Sequence, residues 1–351
     1  MKVSVCMITY NHEKFITQAI ESVLMQNTDF DYELVIGEDC STDRTREIVK
    51  QYAEKYPDRI KTLLHPENLG MQTNFTKTLK ACNGEYIALL EGDDYWTDKY
   101  KMQKQVDFLD EQPECAICFH NVKMIYDDNP EMSHPFYFQN PDGRPFTHKK
   151  PNPISTLKDL LKVKGNFIHT PSVMFRSRRF EELPGWYYKV SMGDWPLHIL
   201  NAHHGDVGYI DEVLGVYRVH AGGTWSSKSR VNILNASIQA ANLIKQCLSL
   251  ENSRIIENTI ERWHLETIEI LLREKDLKAA SLYARKCLLR VGFDKKYMLI
   301  KLILEGYFPG LYKILVVFKN HVITMPCSLS AIVKKRDNSV KHYRITKEDR
   351  R

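Results

Sequence analysis

"YIALLEGDDYW", residues 86–96, decides how the chain is read. A run with the character of a buried strand, Tyr86 to Leu90, stops at Glu91, Asp93 and Asp94, with aromatic side chains directly after. Carboxylates crowded at one strand end repel and raise one another's pKa unless a cation compensates them. A hard divalent ion such as Mn²⁺ or Mg²⁺, sharing its oxygen ligands with phosphate and water, supplies that charge. A solvated acidic loop before a helix starting near Asp98 is the alternative, and this stretch alone leaves both open.

Upstream, strand and helix signals alternate. "VSVCMI" (3–8), "YELVIG" (32–37), "IKTLL" (60–64) and "EYIALLE" (85–91) are short β-rich runs. Between them lie "FITQAIESVL" (15–24), with Phe15, Ile16, Ala19, Ile20, Val23 and Leu24 on one helical face, and "MQTNFTKTLKAC" (71–82). "CSTDRTREIVKQYAEKY" (40–56) is a third helix, with Ser41 or Thr42 expected as its N-cap. Strands separated by helices of this length imply βαβ units and a mostly parallel sheet covered by helices on both faces. Ligands of such sheets bind beyond the carboxyl ends of the strands. "TYN", "EDCSTD", "HPENLG" and "EGDDYW" should therefore converge on one crevice, which brings Glu38 and Asp39 toward the acids of the opening stretch.

Beyond Pro113 the pattern loosens. Strand-like "CAICFHNVKMIY" (115–126) leads into residues 127–153, rich in Pro, Asn, Asp and Gly, which read as a long loop over the site. Strand-like "FIHTPSVMFR" (167–176), helix-like "WPLHILNAHH" (195–204) and strand-like "YIDEVLGVYRVH" (209–220) follow. Residues 229–291 read as helical throughout, and 267–290 resemble one tetratricopeptide-like hairpin.

"ITYN" (8–11), "EDCSTDRT" (38–45), "ENLG" (67–70), "EGDDYW" (91–96), "GDWPL" (193–197) and "YRVH" (217–220) resemble, in this order, the motifs of the family 2 glycosyltransferases. The resemblance covers roughly residues 1–228. It implies a GT-A-type, Rossmann-like α/β catalytic domain over 1–228, followed by a helical C-terminal region over 229–333 and a basic tail over 334–351. A nucleotide-sugar donor would lie across the strand ends on Thr9, Tyr10, Asn11, Glu38, Asp39, Asn68, Glu91, Asp93 and Asp94. Within that set the resemblance gives Thr9 and Tyr10 as uracil-side contacts and Asp39 as the acceptor for the base imide N–H. Asp93 and Asp94 match its metal motif, with His220 downstream reaching the ion or the diphosphate. Glu91 stands where many members carry Asp, so its longer side chain can meet the sugar or a water instead.

The resemblance also implies the reaction. Asp194 would be the general base of an inverting transfer from a nucleotide-diphosphate sugar, with UDP expected, to a hydroxyl of a glycan or lipid-linked acceptor. "GDWPLHIL" equally suits a helix start with Asp194 as N-cap and Pro196 in the first turn. His169 and Thr170 either face the acceptor or pack. Bacterial surface polysaccharide biosynthesis is the expected setting. A nucleotidyltransferase or a nicotinamide-dependent dehydrogenase would need a glycine-rich loop after the first strand, and "ITYNHEKF" has none. A non-catalytic nucleotide-sugar-binding or scaffolding protein that kept the fold is the alternative, and it would have no use for Asp194.

Composition fits this reading. With 351 residues, 43% hydrophobic and 26% charged, the chain can bury a sizeable core. The net charge of +5 is partly a basic tail and implies no nucleic-acid partner. No secretory signal is read at "MKVSVCMITYNHE", and eight scattered cysteines suit a reducing compartment, so a cytoplasmic location is expected. The lone C-x-x-C of Cys115 and Cys118 lacks a second ligand pair for zinc and reads as core. "YMLIKLILEGYFPGLYKILVVF" (297–318) is broken by Lys301, Glu305, Gly306, Pro309, Gly310 and Lys313. It reads as two amphipathic helices that either pack on the helical region or lie peripherally at the inner membrane face.

Overall fold

The computed structural model describes residues 1–136, 154–162, 168–177, 183–223, 228–287 and 300. The N-terminal part follows the alternation of the sequence: β1 (Val3–Thr9), α1 (Ile16–Leu24), β2 (Tyr32–Glu38), α2 (Thr45–Lys55), β3 (Ile60–Leu64), α3 (Met71–Lys80) and β4 (Tyr86–Glu91). β1 pairs in parallel with both β2 and β4, and β2 with β3. Val3, Val5, Met7, Leu34, Ile36, Ala88 and Leu90 are buried in one core with Ile16, Ala19, Ile20 and Val23 of α1. Each aliphatic side chain fully withdrawn from water contributes about 1.5–3 kcal/mol.

On the other face α3 lies close to β2, and Gly37 is the reason it can. A Cβ at Gly37 would stand 1.9 Å from Thr78 Oγ1 and 2.3 Å from Asn74 Oδ1. Asn74 uses the approach, donating to the Gly37 carbonyl at 2.9 Å while its Oδ1 meets His65 Nε2 at 3.1 Å. Buried polar groups are satisfied here between a strand and the helix over it.

The sheet then continues with β5 (Tyr95–Trp96), β6 (Cys115–Tyr126), β7 (His134–Phe136), β8 (Ile154–Ser155), β9 (Met174–Arg176) and β10 (Asp206–Val219). Ten strands form one sheet with the path β3-β2-β1-β4-β9-β6-β10-β5, β7 attached to β6 and β8 to β10. It is more mixed than the alternation suggests. β9 lies antiparallel between β4 and β6, whereas β10 runs parallel to β6. The strand expected over 167–176 is shorter because Pro171 sits in a 3-10 turn, Thr170–Ser172, ahead of β9. Proline lacks the N–H that a ladder needs at that point. Residues 134–136 of the expected loop are strand, and residues 137–153 lie outside the described part of the chain. Cys115 and Cys118 are buried in β6, as core packing requires.

Helices α4 (Lys101–Glu111), α5 (Leu157–Lys162) and α6 (Asp194–Ala202) accompany these strands, followed by α7 (Arg230–Ile244), α8 (Leu250–Arg273) and α9 (Leu277–Cys287). The helical stretch expected from residue 229 is thus broken at Lys245–Cys247, a 3-10 turn, and again before Leu277. Two compact units divide the chain, the first Met1–Trp263 and the second beginning at His264. In the first, Trp195 meets Trp263 edge-on with ring centroids 5.6 Å apart. In the second, Ile268, Ala284 and Cys287 form a small core with Leu265, Leu272 and Tyr283 around it. Among the described residues no helix is long and apolar enough to cross a membrane. The segment 297–318 and the basic tail lie outside the described residues.

Candidate active site

The loops after β1 and β2 are clasped together. Asn11 takes a left-handed conformation (φ 56°). Its N–H donates to Ser41 Oγ at 2.9 Å, and its Oδ1 accepts from the Thr42 N–H at 2.8 Å. His12 N–H donates to Thr45 Oγ1 at 2.7 Å and Glu13 N–H to Asp43 Oδ2 at 3.0 Å. These contacts correct the expected cap of α2. The residue before the helix is Arg44, and it is Asp43 Oδ1 that accepts from the Thr45 N–H, at 2.9 Å. Ser41 and Thr42 are turned toward Asn11 instead.

Asp39 bridges the same loops to the next one. Its N–H donates to the Thr9 carbonyl at 3.1 Å, and its Oδ1 accepts from the Leu69 N–H at 2.7 Å. Asn68 closes a local turn by accepting from the Gly70 N–H at 2.9 Å. Tyr10 is exposed, and Thr9 is buried with Oγ1 unpartnered. Glu38 sits apart from this set. It is fully buried, accepts from the Ser41 N–H at 2.7 Å and pairs with Arg46, so its carboxylate holds the loop.

Glu91, Asp93 and Asp94 bring one carboxylate oxygen each within 4.8 Å of one another. Gly92 permits this, because its N–H donates to the Ile8 carbonyl at 3.0 Å and a Cβ there would stand 2.6 Å from Thr9 Oγ1. Arg218 secures the acids from β10. Its backbone N–H donates to Asp94 Oδ1 at 2.8 Å and its Nε to the Asp93 carbonyl at 2.9 Å. The guanidinium carbon lies 4.7 Å from the Phe15 ring centroid.

Two imidazoles flank Asp93. His220 Nε2 lies 3.0 Å and His12 Nε2 3.7 Å from its Oδ2. Burial works to raise Asp93, but the His220 hydrogen bond and the charges of His12 and His220 outweigh it and hold the group below the ordinary carboxylate range. The hydrogen bond to Asp93 likewise raises His220. The other two acids go the opposite way. Desolvation, then the Asp93 and Asp194 charges, push Glu91 up to about 8, and desolvation with Asp93 and Glu91 carries Asp94 well above its usual value. Asp93 Oδ1 and Asp94 Oδ2 are buried with no hydrogen-bond partner. An all-oxygen cluster with two orphaned carboxylate oxygens is the donor set that suits a hard divalent cation. His220 is placed on Asp93 rather than among the three clustered carboxylates.

Asp194 is the first residue of α6, with Gly193 before it, so it does not occupy the N-cap position. Its Oδ1 accepts from the neighbouring Trp195 N–H at 2.8 Å. Glu91 and Asp194 line one cavity of about 290 Å³ together with Gln72, His169, Thr170 and Tyr217. His169 and Thr170 therefore border this space, and His169 also packs on the Tyr217 ring at 4.8 Å. Desolvation lowers His169 to about 4, so it is neutral near pH 7.

Sequence reasoning missed His12, Arg218 and Gln72. Arg218 sits inside "YRVH" and His12 directly follows "ITYN", and their partners come from segments far away in the chain. Gln72 carries no local signal: its role depends on Tyr187, whose carbonyl accepts from its Nε2 at 3.0 Å.

Comparison with known proteins bears on the family and the fold. An uncharacterised protein of Mycobacterium bovis is 37% identical over 225 residues, which is 64% of this chain and 60% of that protein, so the chain spans less than two thirds of its relative. The poly(ribitol-phosphate) β-N-acetylglucosaminyltransferase TarS of Staphylococcus aureus is 35% identical over 114 residues, 32% of this chain and 19% of TarS. The structure of TarS 1–349 with UDP-GlcNAc superposes with a TM-score of 0.59 at 20% identity, over 87% of this chain and 88% of that one. The mannosyltransferase PcManGT from Pyrobaculum calidifontis, in complex with GDP-Man and Mn²⁺, gives 0.55 at 17% identity over 92% and 85%. At these identities the structural likeness is one of fold, the GT-A fold. The family model for glycosyl transferase family 2 matches residues 4–183, more than half of the sequence, and the chain belongs to that family.

Proposed function

We propose that the chain is an inverting glycosyltransferase that moves a sugar from a nucleotide-diphosphate donor, a UDP-sugar, to a hydroxyl of a glycan or lipid-linked acceptor in bacterial surface polysaccharide synthesis. The observation that carries this reading is that Glu91, clustered with Asp93 and Asp94, whose buried oxygens Oδ1 and Oδ2 respectively are orphaned, lines one cavity with a second carboxylate, Asp194. Single displacement at an anomeric carbon needs a base on the face opposite the leaving diphosphate. Asp194 takes the proton of the acceptor hydroxyl as its oxygen bonds to the anomeric carbon. The bond to the diphosphate oxygen breaks, and its electron pair leaves with the diphosphate.

Asp93 and Asp94 would hold a divalent cation, with Glu91 beside them and His220 fixing Asp93. When bound, Mn²⁺ or Mg²⁺ supplies Lewis-acid stabilisation of the departing diphosphate. Asp39 and Thr9 face the base, and Tyr10 offers its exposed ring. TarS, a poly(ribitol-phosphate) β-N-acetylglucosaminyltransferase whose structure holds UDP-GlcNAc, supports both a UDP-sugar donor and the polysaccharide setting.

A thermal-shift panel of UDP, GDP, dTDP and CDP, each with and without Mn²⁺, tests the reading. UDP with Mn²⁺ should raise the melting temperature most. No stabilisation by any nucleoside diphosphate would exclude the donor site.

A further inference from the structure

The cavity between Glu91 and Asp194 is divided chemically. Cys6, Ile8, Met71, Phe75, Leu89 and Leu234 supply an apolar wall. A sugar ring can lay its C–H face on such a wall, but each hydroxyl turned toward it loses its water without a partner. Gln72 lies on the same lining. Its Nε2 donates to the Tyr187 carbonyl at 3.0 Å, which fixes the amide with Oε1 as the remaining acceptor. That oxygen is buried and makes no hydrogen bond, because the Tyr187 hydroxyl beside the amide donates to the Gly193 carbonyl at 2.8 Å. An acceptor left in this state is costly until a donor arrives.

One substituent meets both demands. A secondary amide brings an N–H for Gln72 Oε1 and a methyl for the apolar wall, and Thr170, also on the lining, offers a hydroxyl to the acyl carbonyl. We infer that this cavity is a subsite for the acylamino group of the transferred sugar, so that the donor belongs to the acetamido-hexose class and not to the plain hexoses. The inference rests on the donor reading above. It places the group on the donor because the leaving diphosphate lies on the side of the acids and the attacking hydroxyl on the side of Asp194, so the ring between them is the one transferred. Gln72 and the wall are then specificity determinants, outside the chemical step.

Calorimetric titration of the intact protein with Mn²⁺ and matched donor pairs, UDP-N-acetylglucosamine against UDP-glucose and UDP-N-acetylgalactosamine against UDP-galactose, tests this. One member of the acetamido class should bind about 10- to 100-fold more tightly than its hexose partner, the range that one apolar group and one hydrogen bond command. Gln72→Leu and, independently, Met71→Gln should each bring that ratio toward one, with UDP affinity and melting temperature reporting that the variant is folded. Equal affinities in the wild type, or variants that weaken both classes alike, overturn the subsite while leaving UDP binding in place. Failure to bind UDP itself with Mn²⁺ overturns the donor reading, and the subsite with it.

Discussion

His220 Nε2 lies 3.0 Å from Asp93 Oδ2, which joins the end of β10 to the acids at the end of β4. The pairing holds Asp93 ionised beside two carboxyls that burial pushes toward protonation. Of the three clustered acids, Asp93 is the one whose charge the neighbouring imidazoles favour. Its Oδ1, buried and unpartnered, is the atom left to meet a cation.

Asp93→Asn removes that charge without changing volume. The stabilisation that UDP gives in the presence of Mn²⁺ should disappear, and the melting temperature without ligand should change by only a few degrees. A variant that still gains the full Mn²⁺-dependent shift with UDP would show that the cation is held elsewhere.

Asp194→Asn separates chemistry from folding. The amide oxygen can still accept from the Trp195 N–H, so stability should fall by less than about 1 kcal/mol. Transfer should fall by about 10² or more, the contribution of a positioned general base. Donor binding should persist. Turnover near the wild-type rate would leave Asp194 as a helix-start residue only.

The parallel half of the sheet was legible because its signals are local: strand runs of β-rich residues, amphipathic helices between them, and polar clusters at each strand end. The same local signals put Thr9, Asp39 and the acids of 91–94 at adjacent strand ends, where the Asp39 N–H meets the Thr9 carbonyl and the Gly92 N–H the Ile8 carbonyl. Glu38 could not be sorted from Asp39 by sequence, since only the fold reveals Arg46 and the Ser41 N–H closing over it. The antiparallel insertion of β9 was also hidden. A three-residue strand carries too little pattern to show its direction, which is set by partners at residues 86–88 and 117–118. The cap of α2 was misplaced because Ser41, Thr42 and Asp43 are all good capping residues, and a distant side chain, Asn11, decided among them.

Gly37→Ala tests the close packing of α3 on β2. The added methyl would fall 1.9 Å from Thr78 Oγ1 and 2.3 Å from Asn74 Oδ1, both on buried residues. Overpacking of this kind costs about 1–3 kcal/mol. A lowered urea midpoint with an unchanged slope should report it. No change in midpoint would mean that α3 can slide away from the sheet without penalty.

His198 gives a prediction for pH. It is fully buried in α6, and desolvation lowers it to about 3 against a hydrogen bond with the backbone at Ile168. In the unfolded chain it titrates near 6.5. Between these values the unfolded state binds the extra proton, so this group's contribution is complete above about pH 6.5 and is lost progressively as pH falls toward 3. At pH 5 the loss amounts to about 2 kcal/mol, from roughly 1.4 kcal/mol for each pH unit below the unfolded value. His198→Gln removes the titration while keeping a polar side chain of similar reach. Unfolding free energies from urea titrations at pH 7.5 and pH 5.0 should therefore differ less in the variant than in the wild type, by an amount equal to that loss. The comparison of differences cancels the opposing trend from Glu91 and Asp94, whose raised values favour the folded state as pH falls. Equal pH sensitivity in the two proteins would show that His198 accepts a proton in place.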